Sequence, residues 1–517
     1  MLELRFGMRA WLGNACALVL SACAVGPDFK APAAPSTEGY IPATLPSDTQ
    51  ATAVPGGEAQ HFDFGRDLPG QWWQLFASDE LNALITEAIA NYPDITAQRA
   101  ALRAARENVR AEQGVFLPQV SATGLGARSL QSGATIAPGF PGFITNFFEA
   151  VVNANYTVDL FGGERRTLEA LKAQAAAQDY QLEASYLALT AGVAEEAIGL
   201  ASTREQIAVT REIIALEEKQ LAVIRRQLEI GSRTRADVLE QQSNLAAVRA
   251  TLPPLQQQLA LAEHQLAVLT GHFPRDAKPV KMELTDLKLP QDLPVSLPSS
   301  LVEQRPDIKI KEMQLHAASA QIGVATANML PQITLSASYG FEALQSRSLF
   351  ETGSKIWSGS AGLTQPLFAG GSLRAKRSAA IDTFDQADAQ YRLSVLQAFQ
   401  NVADTLTALD NDAQALKADY EAVNAAQASL DLTQRQYNDG AVDYTALLTA
   451  QQAYQQARIA YVRALAGRFS DTATLFEALG GGWWNRNDPG TMKELLPAAD
   501  QAAGPRGAPL RAQARDN

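Results

Sequence analysis

Hydrophobic residues recur with two different periods along this chain, and the switches between them mark its elements. Ile333, Leu335, Ala337, Tyr339 and Phe341 alternate with Gln332, Thr334, Ser336, Ser338 and Gly340, the period of a strand with one apolar and one polar face. Phe148, Ala150, Val152, Ala154, Tyr156, Val158 and Leu160 alternate with their neighbours in the same way. Segments 119–129 and 355–367 alternate less clearly, and together the pattern predicts four strands of about ten residues each. Elsewhere the spacing is helical. Residues 164–230 and 372–439 repeat Ala, Leu, Ile and Val at heptad-like intervals among Gln, Glu and Arg, without a proline. Each predicts one helix roughly 100 Å long at a rise of about 1.5 Å per residue. Gly231 and Gly440 stop these helices, and the helical pattern resumes over 236–270 and 443–479, so each long helix is expected to turn back as a hairpin. Pro253-Pro254 interrupts the first return and predicts a break or kink there. Shorter helices over 94–113 and 307–328 each open on Pro-Asp, residues suited to a first helical turn.

The same order of elements occurs twice. Asn91-Tyr92-Pro93-Asp94-Ile95 recurs as Gln304-Arg305-Pro306-Asp307-Ile308, and Leu117-Pro118-Gln119 as Leu330-Pro331-Gln332, both at an offset of 213. Leu160-Phe161-Gly162-Gly163 answers Leu367-Phe368-Ala369-Gly370-Gly371, and Gly231 with Leu239 answers Gly440 with Leu448 at an offset of 209. Two tandem copies of a strand pair plus a long hairpin are therefore expected over 65–272 and 300–484. A connector, 273–299, carries five prolines between them.

At the N-terminus, Arg5 and Arg9 flank the start of a short apolar stretch from Ala10 to Leu20, too short to span a bilayer comfortably. It ends in Leu20-Ser21-Ala22-Cys23, which matches a bacterial lipobox. Residues 1–22 are thus expected to be a lipoprotein signal peptide, with Cys23 as the lipidation site carrying N-acyl and S-diacylglycerol groups. Ala24, where an Asp would hold many lipoproteins at the inner membrane, favours the outer membrane. Residues 23–64 are rich in Pro, Ala, Thr and Gly and read as a plain extended tether. The tail, 485–517, lacks periodicity and reads as disordered.

Charge and chemistry narrow the function classes. A formal net charge of −12 argues against a nucleic-acid partner, which calls for a clustered basic surface. Removing Cys16 with the signal peptide leaves one cysteine, and His61, His264, His272 and His316 show no metal-ligand spacing. Without a phosphate loop or nucleophile elbow, no enzyme, catalytic residue, metal or cofactor beyond the covalent lipid is expected. The mature chain has no run of eighteen apolar residues, so a membrane crossing must use strands. Four strands cannot close a barrel; two copies of the chain would give eight strands and a filled interior, three would give twelve and room for a pore. The competing reading of the strands is a soluble β-subdomain. Trp72, Trp73, Trp483 and Trp484 could mark a membrane-interface belt, but their place beside the repeats favours packing among the helices.

The residues then match a known family. Cys23-Ala24-Val25-Gly26-Pro27-Asp28-Phe29-Lys30-Ala31-Pro32, Trp72-Trp73-Gln74-Leu75-Phe76, both Pro-Asp-Ile and Leu-Pro-Gln units, and Ala478-Leu479-Gly480-Gly481-Gly482-Trp483 together resemble the NodT-type lipoprotein branch of the TolC-like outer-membrane factors. The resemblance covers about residues 15–484. It implies a mixed α+β membrane protein, a homotrimer whose twelve-stranded outer-membrane β-barrel continues as a periplasmic α-helical barrel. It also implies the exit duct of a tripartite efflux system, joined by a periplasmic adaptor (membrane fusion protein) to an inner-membrane transporter of the RND class. A duct for type I protein secretion shares the fold and stays open as an alternative. A periplasmic adaptor or structural coiled-coil lipoprotein fits less well, because adaptors usually carry one hairpin between lipoyl-like halves.

A passive duct needs a closed state and a way to open, which directs attention to the hairpin tips. Tip one reads Gly231-Ser232-Arg233-Thr234-Arg235-Ala236-Asp237-Val238-Leu239-Glu240 and tip two Gly440-Ala441-Val442-Asp443-Tyr444-Thr445-Ala446-Leu447-Leu448-Thr449. Family members often carry acidic residues where this chain has Ala446 and Thr449. A ring of acidic charge here would have to use Asp237, Glu240, Asp439 or Asp443. The expectation is that Arg233, Arg235 and Asp237 pair with neighbouring tips to hold a closed iris, the alternative being solvated turn charges with Asp237 favouring the helix dipole. Gly231 and Gly440 are expected to serve the turns and adaptor contact.

Overall fold

The computed structural model describes residues 24–37, 39–42, 46–135 and 137–486. The signal peptide, Cys23 and the tail beyond Arg486 lie outside the described residues. In chain order the elements are β1 (His61–Phe64), α1 (Asp79–Asn91), α2 (Pro93–Val115), β2 (Gln119–Gln131), β3 (Phe143–Val158), α3 (Gly163–Glu229), α4 (Arg235–Leu269), β4 (Asp292–Val295), α5 (Pro298–Gln304), α6 (Pro306–Ala327), β5 (Gln332–Ala343), β6 (Lys355–Thr364), α7 (Ser372–Asn438) and α8 (Tyr444–Ala478). The long helices α3 and α7 have 67 residues each, and the returns α4 and α8 have 35 each. The duplication seen in sequence is therefore preserved in element length.

The break expected at Pro253-Pro254 is absent. Helix α4 runs unbroken through Pro253 and Pro254. Two prolines remove two N–H donors and free the carbonyls four residues earlier, those of Arg249 and Ala250. Both of these residues, and both prolines, are exposed, so water can satisfy the freed acceptors.

Two compact units divide the chain, each drawing on both repeats. The first comprises residues up to Pro32, Ala101–Gln178 and Ile310–Arg392 and holds a four-stranded antiparallel sheet in the order β2-β3-β5-β6. Directly paired residues share a face. The rows Ala122-Val152-Tyr339-Trp357 and Val158-Ile333-Leu363 are apolar, whereas Thr123-Val151-Gly340-Ile356 borders rows such as Asn153-Ser338-Ser358. On that second face Ser338 and Ser358 hydroxyls lie 2.8 Å apart, and Ser129 and Thr145 hydroxyls 3.1 Å apart. Gly340 is required by close approach: a Cβ there would sit 2.2 Å from the Ala150 carbonyl oxygen. Among the described residues β2 and β6 each keep one edge unpaired, and much of the apolar face, including Val120, Val152, Tyr339, Trp357 and Leu363, is exposed in the single chain.

The first residues of the described chain dock within this unit. The Val25 N–H donates to the Phe161 carbonyl, and the buried Arg166 guanidinium binds the Asp28 carboxylate at 2.7 Å, the Glu169 carboxylate at 2.7 Å and the Val25 carbonyl at 3.2 Å. Phe29 stacks on His316 with centroids 4.3 Å apart, and the His316 ring lies 2.9 Å from Glu169.

The second unit comprises Ala33–Ala100, Asp179–Lys309 and the chain from Leu393. Its core collects Trp72, Phe76, Leu81, Ile85, Phe469 and Phe476, all buried, with Trp72 edge-on to Trp73 and packed on Phe476. Trp483 packs on Tyr180 and donates to the Gln304 carbonyl. Trp72, Trp73, Trp483 and Trp484 thus pack within this helical unit, not on the four-stranded sheet.

Residues 46–64 are folded here as well, and differ from the plain tether that their composition predicts. Strand β1 pairs in parallel with β4 of the connector, His61 opposite Asp292. Arg468 of α8, 0% exposed, donates to the Thr49 hydroxyl, the Gln60 side-chain oxygen and the carbonyls of Gly56 and Glu58 at 3.0–3.3 Å. Gln60 in turn donates to Thr472 and to the Pro290 carbonyl. Proline-rich sequence hides this strap because its order comes from partners distant in the chain, β4, Thr472 and above all Arg468, not from any local periodicity.

Candidate functional site: the paired hairpin tips

Each long helix ends in the same backbone device. Gly231 (φ +75°) donates to the Leu228 carbonyl and Ser232 to that of Gln227; Gly440 (φ +74°) donates to Tyr437 and Ala441 to Gln436. These paired bonds from a left-handed glycine and its successor satisfy carbonyls that the helix end leaves open. No atom lies within 4 Å of a Cβ built at either glycine, so glycine is needed for its conformation and not for space.

The returns start differently. In tip one, Thr234 caps α4: the Asp237 N–H donates to the Thr234 hydroxyl at 3.3 Å and the Thr234 N–H donates to the Asp237 carboxylate at 2.8 Å, a reciprocal capping box. In tip two, Asp443 alone caps α8, accepting from the Ala446 N–H at 2.9 Å. The Thr449 hydroxyl donates to the Thr445 carbonyl of its own helix.

Between the tips lies a mixed core. Leu221, Ile224, Val238 and Leu245 of the first hairpin pack with Tyr437, Tyr444, Leu447 and Leu448 of the second. Arg233 crosses from tip one to place its guanidinium 4.3 Å from the centre of the Tyr437 ring. Inside, the Gln241 amide donates to the Glu217 carboxylate at 2.5 Å and to the Glu217 carbonyl at 2.9 Å, and Gln452 donates to Asn244 at 3.0 Å, joining the two returns. Burial raises the pKa of the Glu217 carboxyl, against the hydrogen bonds from Gln241 and Asn244 that lower it. Burial likewise raises the Tyr437 and Tyr444 hydroxyls.

The structure therefore separates the residues singled out from sequence. Arg233 reaches the other tip of its own chain; Asp237 and Asp443 are engaged as helix caps. Arg235, Glu240 and Asp439 are exposed and form no ion pair among the described residues. Sequence reasoning missed Tyr437, Tyr444, Glu217, Gln241, Asn244 and Gln452. A signal existed for two of them: Gln241 and Asn244 interrupt the apolar stripe of Val238, Leu245 and Val248.

Comparison with known proteins gives this geometry a family. The outer membrane efflux protein family matches residues 84–272 and 297–481. The chain belongs to this family. The "Toluene efflux pump outer membrane protein TtgF" of Pseudomonas putida is 30% identical over 501 residues, covering 92% of this chain and 97% of the relative. The "Antibiotic efflux pump outer membrane protein ArpC" of Pseudomonas putida is 28% identical over 472 residues, with 91% and 95% covered. The solved outer-membrane channel OprN superposes with a TM-score of 0.79 at 25% identity, covering 89% of this chain and all of that one. As an outer membrane efflux protein, the chain is a channel component of the outer membrane with helical parts extending into the periplasm, and its two family matches fall on the two repeats.

Proposed function

We propose that three copies of this chain form the exit duct of a tripartite efflux system, receiving small molecules from a periplasmic adaptor and an inner-membrane RND-type transporter. The observation that carries this reading is the sheet: four antiparallel strands, apolar on one face and polar on the other, with both edges open in the single chain. In hydrocarbon every unpaired backbone group costs several kcal/mol, so such a sheet must close. Three copies supply twelve strands around a polar lumen. The names of the relatives, for toluene and antibiotic efflux, point to small molecules as cargo.

In this reading conduction is passive and needs no catalytic group or cofactor. Cys23 carries the lipid that tethers each copy to the membrane. The tips form the iris, in which Arg235, Glu240, Asp439 and the free oxygens of Asp237 and Asp443 face neighbouring copies as the latch. Gly231 and Gly440 present the turns to the adaptor. Docking of the adaptor stabilises the open arrangement at the expense of the closed one. The test is intracellular accumulation of a panel of dyes and antimicrobials in a deletion strain, with and without the gene restored. Raised accumulation that the gene reverses supports the reading; unchanged accumulation alongside loss of a secreted protein would transfer the duct to type I secretion.

A further inference from the structure

A carboxylate on α7 faces a carboxylate on α8 with no counterpart in the first hairpin. Asp412 stands where α8 presents Gly467, and a Cβ at Gly467 would lie 3.5 Å from the Asp412 Oδ2. Asp412 thus lies against the α8 backbone at Gly467, with Asp471 one turn further along the same face. The Asp412 Oδ2 is buried and accepts no hydrogen bond from any donor among the described residues. The charged groups that face it are Asp471 and Arg468, both on α8, and Glu58 of the strap faces Arg468 in turn. Arg468 directs its terminal nitrogens to the strap, and its buried Nε has no partner.

Two neighbouring carboxylates repel when both are ionised, and the neutral form of one can donate to the other. Burial, the hydrogen bond with Asp471 and the charge of Asp471 push the Asp412 carboxyl up to about 7, against the opposing pull of Arg468. The folded chain then holds a proton that the unfolded chain has released. Its stabilising effect is complete below the ordinary carboxyl value and is lost as pH rises through the folded value.

We propose that Asp412 carries a proton shared with Asp471 across the α7–α8 interface, and that this proton keeps Arg468 available to the strap, so that acid tightens and alkali loosens residues 49–60. When the proton leaves to solvent, two carboxylates compete for the guanidinium that holds Thr49, Gln60 and the carbonyls of Gly56 and Glu58. The strap is the readout, and the proposal stands independently of what the duct carries.

The experiment is hydrogen exchange of peptides covering 49–60 in the full-length, detergent-solubilised protein, corrected for intrinsic rates, at about pH 6 and about pH 8.5, either side of the titration. In the unsubstituted protein exchange is expected to quicken several-fold at the higher pH. Asp412→Asn, which keeps a donor and no charge, is expected to abolish that difference and to remain protected at both values. Asp471→Asn provides a second variant with the same expected loss of pH response. Infrared difference spectra of unsubstituted protein minus Asp412→Asn should show a protonated-carboxyl stretch in acid that vanishes in alkali. The same pH response in all three proteins, or no such carboxyl band, would overturn the proposal.

Discussion

The two hairpins have the same lengths and the same glycine stops, yet they hold the protein together in different ways. Counting by the offset of 209, Arg468 of the second return falls on Leu259 of the first, Gly467 on Gln258, Asp471 on Ala262 and Asp412 on Thr203. Leu259 is half-buried, and the buried Thr203 hydroxyl bonds back to the Gly199 carbonyl of its own helix. The first hairpin at this level is therefore an ordinary helix pair. The second has exchanged apolar contact for a buried arginine that recruits a segment about four hundred residues away. Duplication preserved the backbone, and divergence placed the long-range chemistry in one copy.

That contrast can be broken experimentally, and the largest expected effect is at Arg468. Replacing it by leucine, the residue of the first copy, strands the Gln60 side-chain oxygen and the Gly56 and Glu58 carbonyls, while the Thr49 hydroxyl keeps the Gln60 N–H; acceptors left unpaired cost roughly 1–3 kcal/mol each, so a total loss of at least about 3 kcal/mol is expected. Thermal melting of the solubilised protein and protease cleavage within 46–64 would report it. Leu259→Ala should cost only about 1 kcal/mol for a half-buried side chain, and an equal cost at both sites would remove the asymmetry. Gly231→Ala and Gly440→Ala should each destabilise by about 1–2 kcal/mol, the penalty of a Cβ in the left-handed region, and should do so equally because the two turns are alike. Thr234→Ala and Asp443→Ala should each cost about 1 kcal/mol in melting experiments, the first slightly more because it also undoes the reciprocal bond with Asp237. Smallest, Arg233→Leu should weaken tip packing by about 0.5–1 kcal/mol, the scale of a cation lying over an aromatic ring at a partly exposed site. It should also raise closed-state conductance in planar bilayers, while Arg235→Leu leaves packing within the chain unaltered.

Much of the architecture was legible because it rests on period. Strands β3 and β5 announce themselves through Phe148 to Val158 and Ile333 to Phe341, and the hairpins through heptad spacing ended by Gly231 and Gly440. Local signals failed where partners are remote. Nothing near Thr49 or Gln60 indicates that Arg468 will bind them, and Pro253-Pro254 looks like a break until the exposure of Arg249 and Ala250 is known. At the tips, charge drew attention to Asp237 and Asp443, which are engaged as caps. Tyr437 and Tyr444 bear no charge to draw attention, although they carry the contact between hairpins.

The parallel pairing of β1 with β4, and the bond from Gln60 to Thr472 across 412 positions, impose an order on folding. A chain emerging N-terminus first presents residues 46–64 long before the connector, and longer still before α8, exists to receive them. Contacts of such separation are slow to form, because a large loop must close before any of them is rewarded. The helical hairpins can assemble locally in the meantime. The strap is thus expected to dock last, which leaves the earliest-made part of the second unit as the segment most exposed to periplasmic chaperones and proteases during biogenesis.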